Sequence, residues 1–193
     1  NNIRNITSVI YTHEHADQTH GINDLRAIFL KNKKKINIFA NNETLKYLKN
    51  NFSYCFENNF GYPSILKANK LKKKFSLGDN KNKINFESFE VKHGRINSVA
   101  YIFNKIAYIS DCSYLSKSNL RKLKNLNILI IDCLRFDDHY SHLTYNKVLE
   151  IISLIKPKKT ILTNLNNEMD YNYLLKILPK NIKPAYDGMK FNI

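Results

Sequence analysis

Acidic residues, cysteines and long apolar runs are all scarce in this sequence, and each shortage narrows what the protein can be. No run of residues reaches the roughly 18 apolar positions a membrane-spanning helix needs, and no leader of the secretory type is visible. There are three cysteines in 193 residues. Cys55, Cys112 and Cys133 are odd in number and have no C-x-x-C spacing, which excludes a disulfide framework and a zinc ribbon and leads us to expect a reduced, cytoplasmic protein. Internal repeats and Gly/Ser/Pro-rich linkers are also missing. With 43% hydrophobic residues, the chain is expected to form a single domain over 1–193. It starts at Asn1 rather than Met, so the expectation is a domain incomplete at its N-terminus.

Asp and Glu number 16 against 31 Lys and Arg, a formal net charge of +15. Such a balance attracts polyanions. However, the lysines are dispersed in clusters such as Lys33-Lys34-Lys35 and Lys72-Lys73-Lys74, without the interleaved aromatics of a nucleic-acid platform. General drift toward Lys, Asn and Ile explains the charge as well. A small anionic substrate is therefore permitted, nucleic acid has no motif behind it, and the oligomeric state is open.

Chemistry concentrates near the start. Val9-Ile10-Tyr11 reads as a buried strand, and Thr12-His13-Glu14-His15-Ala16-Asp17-Gln18-Thr19-His20-Gly21 follows. His13 and His15 alternate with Glu14, so in extended backbone both imidazoles point the same way and can share a cation. Asp17 follows at turn distance. The competing reading, loop histidines with no common ligand, suits one histidine better than H-x-H-x-D.

Further along, Ile22, Leu25, Ile28 and Phe29 have helical spacing, predicting a helix over 21–30. Ile36 to Phe39 is a short strand, and Asn42 is the expected cap of the next helix. The lysine-rich 69–82, ending in Gly78-Asp79-Asn80, reads as an exposed connection. From Ile84 the period becomes two, giving a strand that stops at His93-Gly94. Strands over 98–103 and 105–110 follow, joined by a tight Asn104-Lys105 turn. Then come a helix over 116–123, the strongest apolar strand at 126–133, a helix over 144–155 broken by Pro157, a strand at 160–163, a helix over 171–178 and an edge strand near 182–186.

His93 and Asp111, like His13 and His15, fall just past the ends of predicted strands. Strand ends on one rim converge in space, so ligands distant in sequence can meet there. Three imidazoles with an open position is the ligand pattern of a hydrolytic metal centre, and Asp111 has two oxygens with which to bridge ions. Taken alone, His93 reads equally well as a surface histidine before a glycine.

The loop Thr12-His13-x-His15-x-Asp17-Gln18-x-x-Gly21 resembles the signature Thr-His-x-His-x-Asp-(His)-x-x-Gly of the metallo-β-lactamase superfamily, with Gln18 where that family has a histidine. His93-Gly94, Ile109-Ser110-Asp111, Ile131-Asp132-Cys133-Leu134-Arg135, His142-Leu143-Thr144 and Ala185-Tyr186-Asp187-Gly188-Met189 follow in the order of one branch. That branch resembles the phosphoribosyl cyclic phosphate phosphodiesterases of phosphonate breakdown, with ribonuclease Z more distant. The resemblance implies an α/β fold of the αββα four-layer sandwich type, lacking its N-terminal strands here. It implies a metal-dependent hydrolase that cleaves a small, cyclic phosphodiester with a metal-activated hydroxide. His13, His15 and His93 would hold a first Zn²⁺ or Mn²⁺. Asp17, also a catalytic candidate, and Asp111 would serve a second site, with Gln18, His20 and Asn164 as further candidate ligands. His142 would contact the substrate phosphate or leaving oxygen; its bland role is to cap the helix near Thr144. His139 and Arg135 are secondary substrate candidates, with solvent exposure the competing role for each. Gln18 and the asparagines of 164–167 are poor zinc ligands beside imidazole, and oxygen donors suit Mn²⁺ better. A non-catalytic, single-metal relative that binds an anionic ligand is therefore the main alternative. An RNA-processing nuclease and a glyoxalase-II-like thioester hydrolase rank lower, since no tRNA-gripping arm and no C-terminal substrate domain are apparent.

Overall fold

The structure, a computed structural model, describes residues 5–58, 61–78 and 82–191. It divides into two compact units, Asn1–Lys83 and Ile84–Ile193. Among the described residues no helix is long and apolar enough to cross a membrane.

The first unit opens with β1 (Ser8–Ile10), then α1 (Ala16–Thr19), a 3-10 segment (His20–Asp24) and α2 (Leu25–Asn32). It continues with β2 (Ile36–Ala40), α3 (Asn42–Asn51), α4 (Ser53–Phe56), β3 (Leu66–Lys70) and β4 (Lys74–Leu77). β1, β2 and β3 pair in parallel with β2 in the centre. Alternate residues Ile36, Ile38 and Ala40 of β2 are buried, as a strand period of two requires. They form one apolar core with Ile22, Leu25, Phe29 and Leu48 from the helices. Leu25 and Phe29 are four apart, on one face of α2.

Three expectations need correcting here. The helix predicted over 21–30 is broken: a 3-10 segment carries His20 to Asp24, and regular α-helix begins only at Leu25. The cap of α3 is Asn41, whose side chain accepts from the Thr44 N–H at 2.8 Å, and Asn42 is already helical. The stretch read as an exposed connection contains the end of β3 and all of β4; its Asp79-Asn80 turn lies outside the described residues.

The second unit contains β5 (Ile84–His93), β6 (Ile96–Phe103), β7 (Ile106–Ile109), α5 (Lys117–Lys122) and β8 (Ile128–Asp132). α6 (Tyr145–Ile155), β9 (Lys159–Thr163), α7 (Tyr171–Ile177) and β10 (Ile182–Pro184) complete it. Its strands run in the order β10-β9-β8-β7-β6-β5. β5, β6 and β7 are antiparallel neighbours, while β7, β8, β9 and β10 are parallel. Asn104 and Lys105 both have positive φ, 47° and 61°, which is what a two-residue hairpin turn of the primed type requires between β6 and β7.

Ala107, Ile109, Leu129, Ile131 and Leu162 point to one face of these strands. There they pack with Val148, Ile152 and Ile155, one apolar stripe of α6. Truncating a fully buried member such as Leu129 or Leu162 to alanine costs about 2–5 kcal/mol.

This topology has a consequence for chemistry. β6 is antiparallel to both β5 and β7, so β5 and β7 run the same way, and β8 and β9 run with them. The C-terminal ends of four strands therefore share one rim. His93 is the last residue of β5, Asp111 follows β7, Asp132 is the last residue of β8, and Asn164 follows β9.

Candidate metal and catalytic centre

The histidine loop of the first unit is held by its own polar side chains. The Thr19 hydroxyl donates to the His15 carbonyl at 2.9 Å, and the Gln18 N–H donates to the same carbonyl at 3.1 Å. Thr44 of α3 donates to the Glu14 carboxylate at 3.2 Å. His13 is fully buried with Nδ1 3.0 Å from the Thr12 hydroxyl oxygen, and its Nε2 lies 3.1 Å from Nδ1 of the exposed His15. Two nitrogens at zinc-ligand distance from one ion and at a tetrahedral angle lie about 3.3 Å apart. The pair is thus spaced as two ligands of one cation are.

Asp17 sits in the first turn of α1 and accepts from Gln18 Nε2 at 2.8 Å. Burial pushes its carboxyl upward, but the Gln18 hydrogen bond, its own backbone N–H and the neighbouring His13 and His15 outweigh this and hold it below the usual value. His20 is exposed, with its ring edge-on to Phe52 at 5.7 Å between centroids.

The rim of the second unit carries a denser cluster. His93 is buried, and its Nδ1 is 2.6 Å from the Ser141 carbonyl oxygen. That oxygen can only accept, so Nδ1 carries the hydrogen and Nε2 becomes the ring's acceptor atom. Nε2 lies 3.5 Å from Asp111 Oδ2. His142 repeats the pattern: Nδ1 is 3.0 Å from Asp132 Oδ2, and Nε2 is 3.7 Å from Asp111 Oδ2. The other oxygen of Asp111, Oδ1, accepts from Ser110 Oγ at 2.7 Å and Asn164 Nδ2 at 2.8 Å. In their neutral forms both rings would turn an Nε2 acceptor toward one carboxylate oxygen, an arrangement that a cation relieves. The His93 and Asp111 spacing again matches two ligands of a single ion, so this pair fits a divalent metal, with His142 Nε2 beside it.

Asp132 is fully buried. Burial drives its carboxyl above the ordinary value, while His142 and the N–H groups of Cys112 and Leu143 pull the other way. Sequence reading had given Asp132 no role. A carboxylate closing an apolar strand, ten residues before a histidine, was the signal available. His139 faces the same loop, its ring 5.2 Å from that of His142, and its Nδ1 accepts from the Ser141 N–H at 3.3 Å. Burial, followed by the neighbouring His142, Arg135 and His93, lowers its pKa, favouring the neutral ring. Arg135 braces its own loop, donating to the carbonyls of Asp137 and Asp138 at 3.4 and 2.7 Å. His142 does not cap α6: the N-cap position is Thr144, which makes no side-chain cap hydrogen bond.

The family described as the β-lactamase superfamily domain matches residues 1–163, and the chain belongs to that family, with the metallo-β-lactamase fold. The chain is similar over 97% of its length to a diphosphatase from the PhnP family, at 26% identity, 70% coverage of that chain and a TM-score of 0.86. The short form of human tRNase Z shares the fold: 20% identity, 95% of this chain, 78% of that one, TM-score 0.66. An octanoyltransferase of Porphyromonas gingivalis is 27% identical over 194 residues, 97% of this chain. The chain spans 38% of that protein's length.

Proposed function

We propose that this chain is a metal-dependent hydrolase that cleaves a small phosphodiester or related phosphoanhydride. Support comes from the family, from the similarity to a PhnP-family diphosphatase, and above all from the Asp111 carboxylate oxygen faced by the Nε2 atoms of His93 and His142. His13 and His15 in the loop of the first unit, and His93 and Asp111 on the rim of the second, are each spaced as ligands of a divalent ion, Zn²⁺ or Mn²⁺. When bound, such an ion supplies positive charge for phosphoryl oxygens and lowers the pKa of water toward about 7. The chain's residues do the rest. Asp17 holds a carboxylate at the edge of the ligand loop. His142 orients the phosphate or hands a proton to the leaving oxygen. Arg135 shapes the loop that carries His139 and His142, with its charge near an anionic substrate.

A second reading has its own observation. Gln18 and Asn164 each present an amide N–H₂ to a carboxylate, Asp17 and Asp111 respectively. An amide used that way is a donor rather than a metal ligand, which favours a one-metal centre and, at the extreme, a relative that only binds anions.

The test is native mass spectrometry for metal per chain, alongside hydrolysis of bis(p-nitrophenyl) phosphate with added Mn²⁺ or Zn²⁺. Turnover that a chelator abolishes is expected. Bound metal with no hydrolysis of this or a cyclic phosphodiester would leave the binding-only reading standing.

A further inference from the structure

We infer, building on the phosphodiester reading above, that Tyr140 is a stacking platform for a planar ring carried by the substrate, which makes the substrate class a nucleoside phosphodiester. A single exposed tyrosine means little by itself. Tyr140 differs in how it is held. It is 79% exposed, yet one edge of its ring lies against the turn after β5: a Cβ on Gly94 would come 3.1 Å from Cε2 and 3.3 Å from Cδ2. The residues on either side are tied down. Asp138 accepts from Arg135 through its carbonyl at 2.7 Å and from Lys147 through its carboxylate at 2.8 Å. His139 Nδ1 accepts from the Ser141 N–H at 3.3 Å, and the Ser141 carbonyl oxygen lies 2.6 Å from His93 Nδ1. A ring fixed before the ligand arrives has little freedom left to lose, so its open face adds to affinity without first having to be ordered.

The rings also form a row leading away from the reacting centre. His142 Nε2 lies 3.7 Å from Asp111 Oδ2. The His139 ring is 5.2 Å from that of His142, and the Tyr140 ring is 5.1 Å from that of His139, tilted by 31°. A phosphate held at His142 therefore sends the group beyond its ester oxygen along His139 toward Tyr140. An open aromatic face accepts any nucleobase by stacking, while the phenolic hydroxyl stays in water. A substrate without a ring leaves that face bare.

The experiment compares two cyclic phosphodiesters on the Mn²⁺-loaded protein, adenosine 2′,3′-cyclic phosphate and glycerol 1,2-cyclic phosphate. They share the reacting group and differ in the base. Hydrolysis is followed by ³¹P NMR in the unsubstituted protein, in Tyr140→Leu, which keeps bulk over Gly94 without an aromatic face, and in Tyr140→Phe, which keeps the ring. The unsubstituted protein is expected to favour the adenosine ester in kcat/KM. Tyr140→Leu should cut that preference by about 5–150-fold, the worth of one base stacked on an aromatic side chain, mainly through KM, and Tyr140→Phe should retain it. No preference for the adenosine ester in the unsubstituted protein, or a loss in Tyr140→Leu that is equal on the two esters, overturns the assignment. If the metal-loaded protein hydrolyses neither ester, the functional reading falls, and calorimetric Kd values for the same two esters decide the role of Tyr140. The same selective loss in Tyr140→Leu supports the platform, and equal or absent binding refutes it.

Discussion

The ring of His93 is tied by its Nδ1 to the backbone carbonyl of Ser141, 48 residues away, at 2.6 Å. One hydrogen bond thereby orients the ring of a proposed ligand and anchors the loop that presents His142. Between them lies Gly94, with φ +56°; a Cβ there would come 2.9 Å from Ser141 Cβ and 3.1 Å from Tyr140 Cε2. The close approach of loop and hairpin depends on that missing methyl group. Gly94→Ala combines left-handed strain with a clash against a side chain rooted in the loop. A loss of about 1–3 kcal/mol is expected by denaturant melting, with phosphodiester turnover falling further than stability explains because His142 is displaced.

Metal content should divide the histidines sharply. His13→Ala, His15→Ala and His93→Ala each remove an imidazole from the proposed ligand set, and metal affinity should fall by at least about 10-fold, the loss seen even for outer-shell partners. His20 packs on Phe52 instead, so His20→Ala should leave metal per chain unchanged. A loss of metal in His20→Ala would restore it as a stand-in for the position of Gln18.

Parts of this architecture were readable in advance for physical reasons. Leu126 to Cys133 and Ile84 to His93 declared themselves by an apolar run and a period of two, because one or both faces are buried. Lysines masked β3 and β4: Lys67, Lys70 and Lys74 are exposed, and β3 lies at one side of the β1-β2-β3 order. Charged residues are what exposed strand margins carry. The Asn41 cap was missed by one position because two adjacent asparagines look alike until backbone dihedrals separate them. Asp132 was missed for a different reason. Its importance is a relation to Cys112, Leu143 and His142, and no local pattern encodes a relation across strands.

Thr160 offers a test of the fold apart from the site. Its hydroxyl is buried and has no hydrogen-bond partner among the described residues. Burying an unpartnered hydroxyl costs about 1–3 kcal/mol. Thr160→Val keeps the shape and the β-branched fit to β9 while removing the polar atom. Stability should rise by about 1 kcal/mol, read as a higher denaturation midpoint at unchanged slope.

The cysteines make a prediction about pH. Cys112 and Cys133 are buried, without a disulfide, and burial followed by the Asp132 carboxylate pushes each thiol up to about 12. The thiolate is the reactive species, so iodoacetamide at pH 8 should leave both unlabelled in the folded protein and label both once it is unfolded. The linkage follows the same sign. The folded state holds the proton more tightly, so its advantage is complete below the unfolded thiol value near 8.5 and is lost progressively as pH climbs from there toward 12. Alkaline melts should therefore show a falling midpoint over that window, and Cys133→Ser should flatten the decline.

The second metal position can be tested by restoring what the sequence lacks. Asn164 adopts a left-handed φ of 58° and gives its amide N–H to Asp111 Oδ1. Gln18 likewise spends its amide on Asp17. Each amide satisfies a carboxylate that, with an imidazole alongside instead, would be available to an ion. Replacing donor N–H groups by imidazole acceptors reverses the local demand, from a carboxylate that is satisfied to one that wants a cation. Gln18→His with Asn164→His should therefore raise zinc from one to two per chain under native mass spectrometry. Either substitution alone should give partial second occupancy, with Asn164→His also showing the modest cost of a non-Asn residue at positive φ. A double variant that stays at one zinc while remaining folded would mean that the resemblance to a two-metal centre ends at the first site.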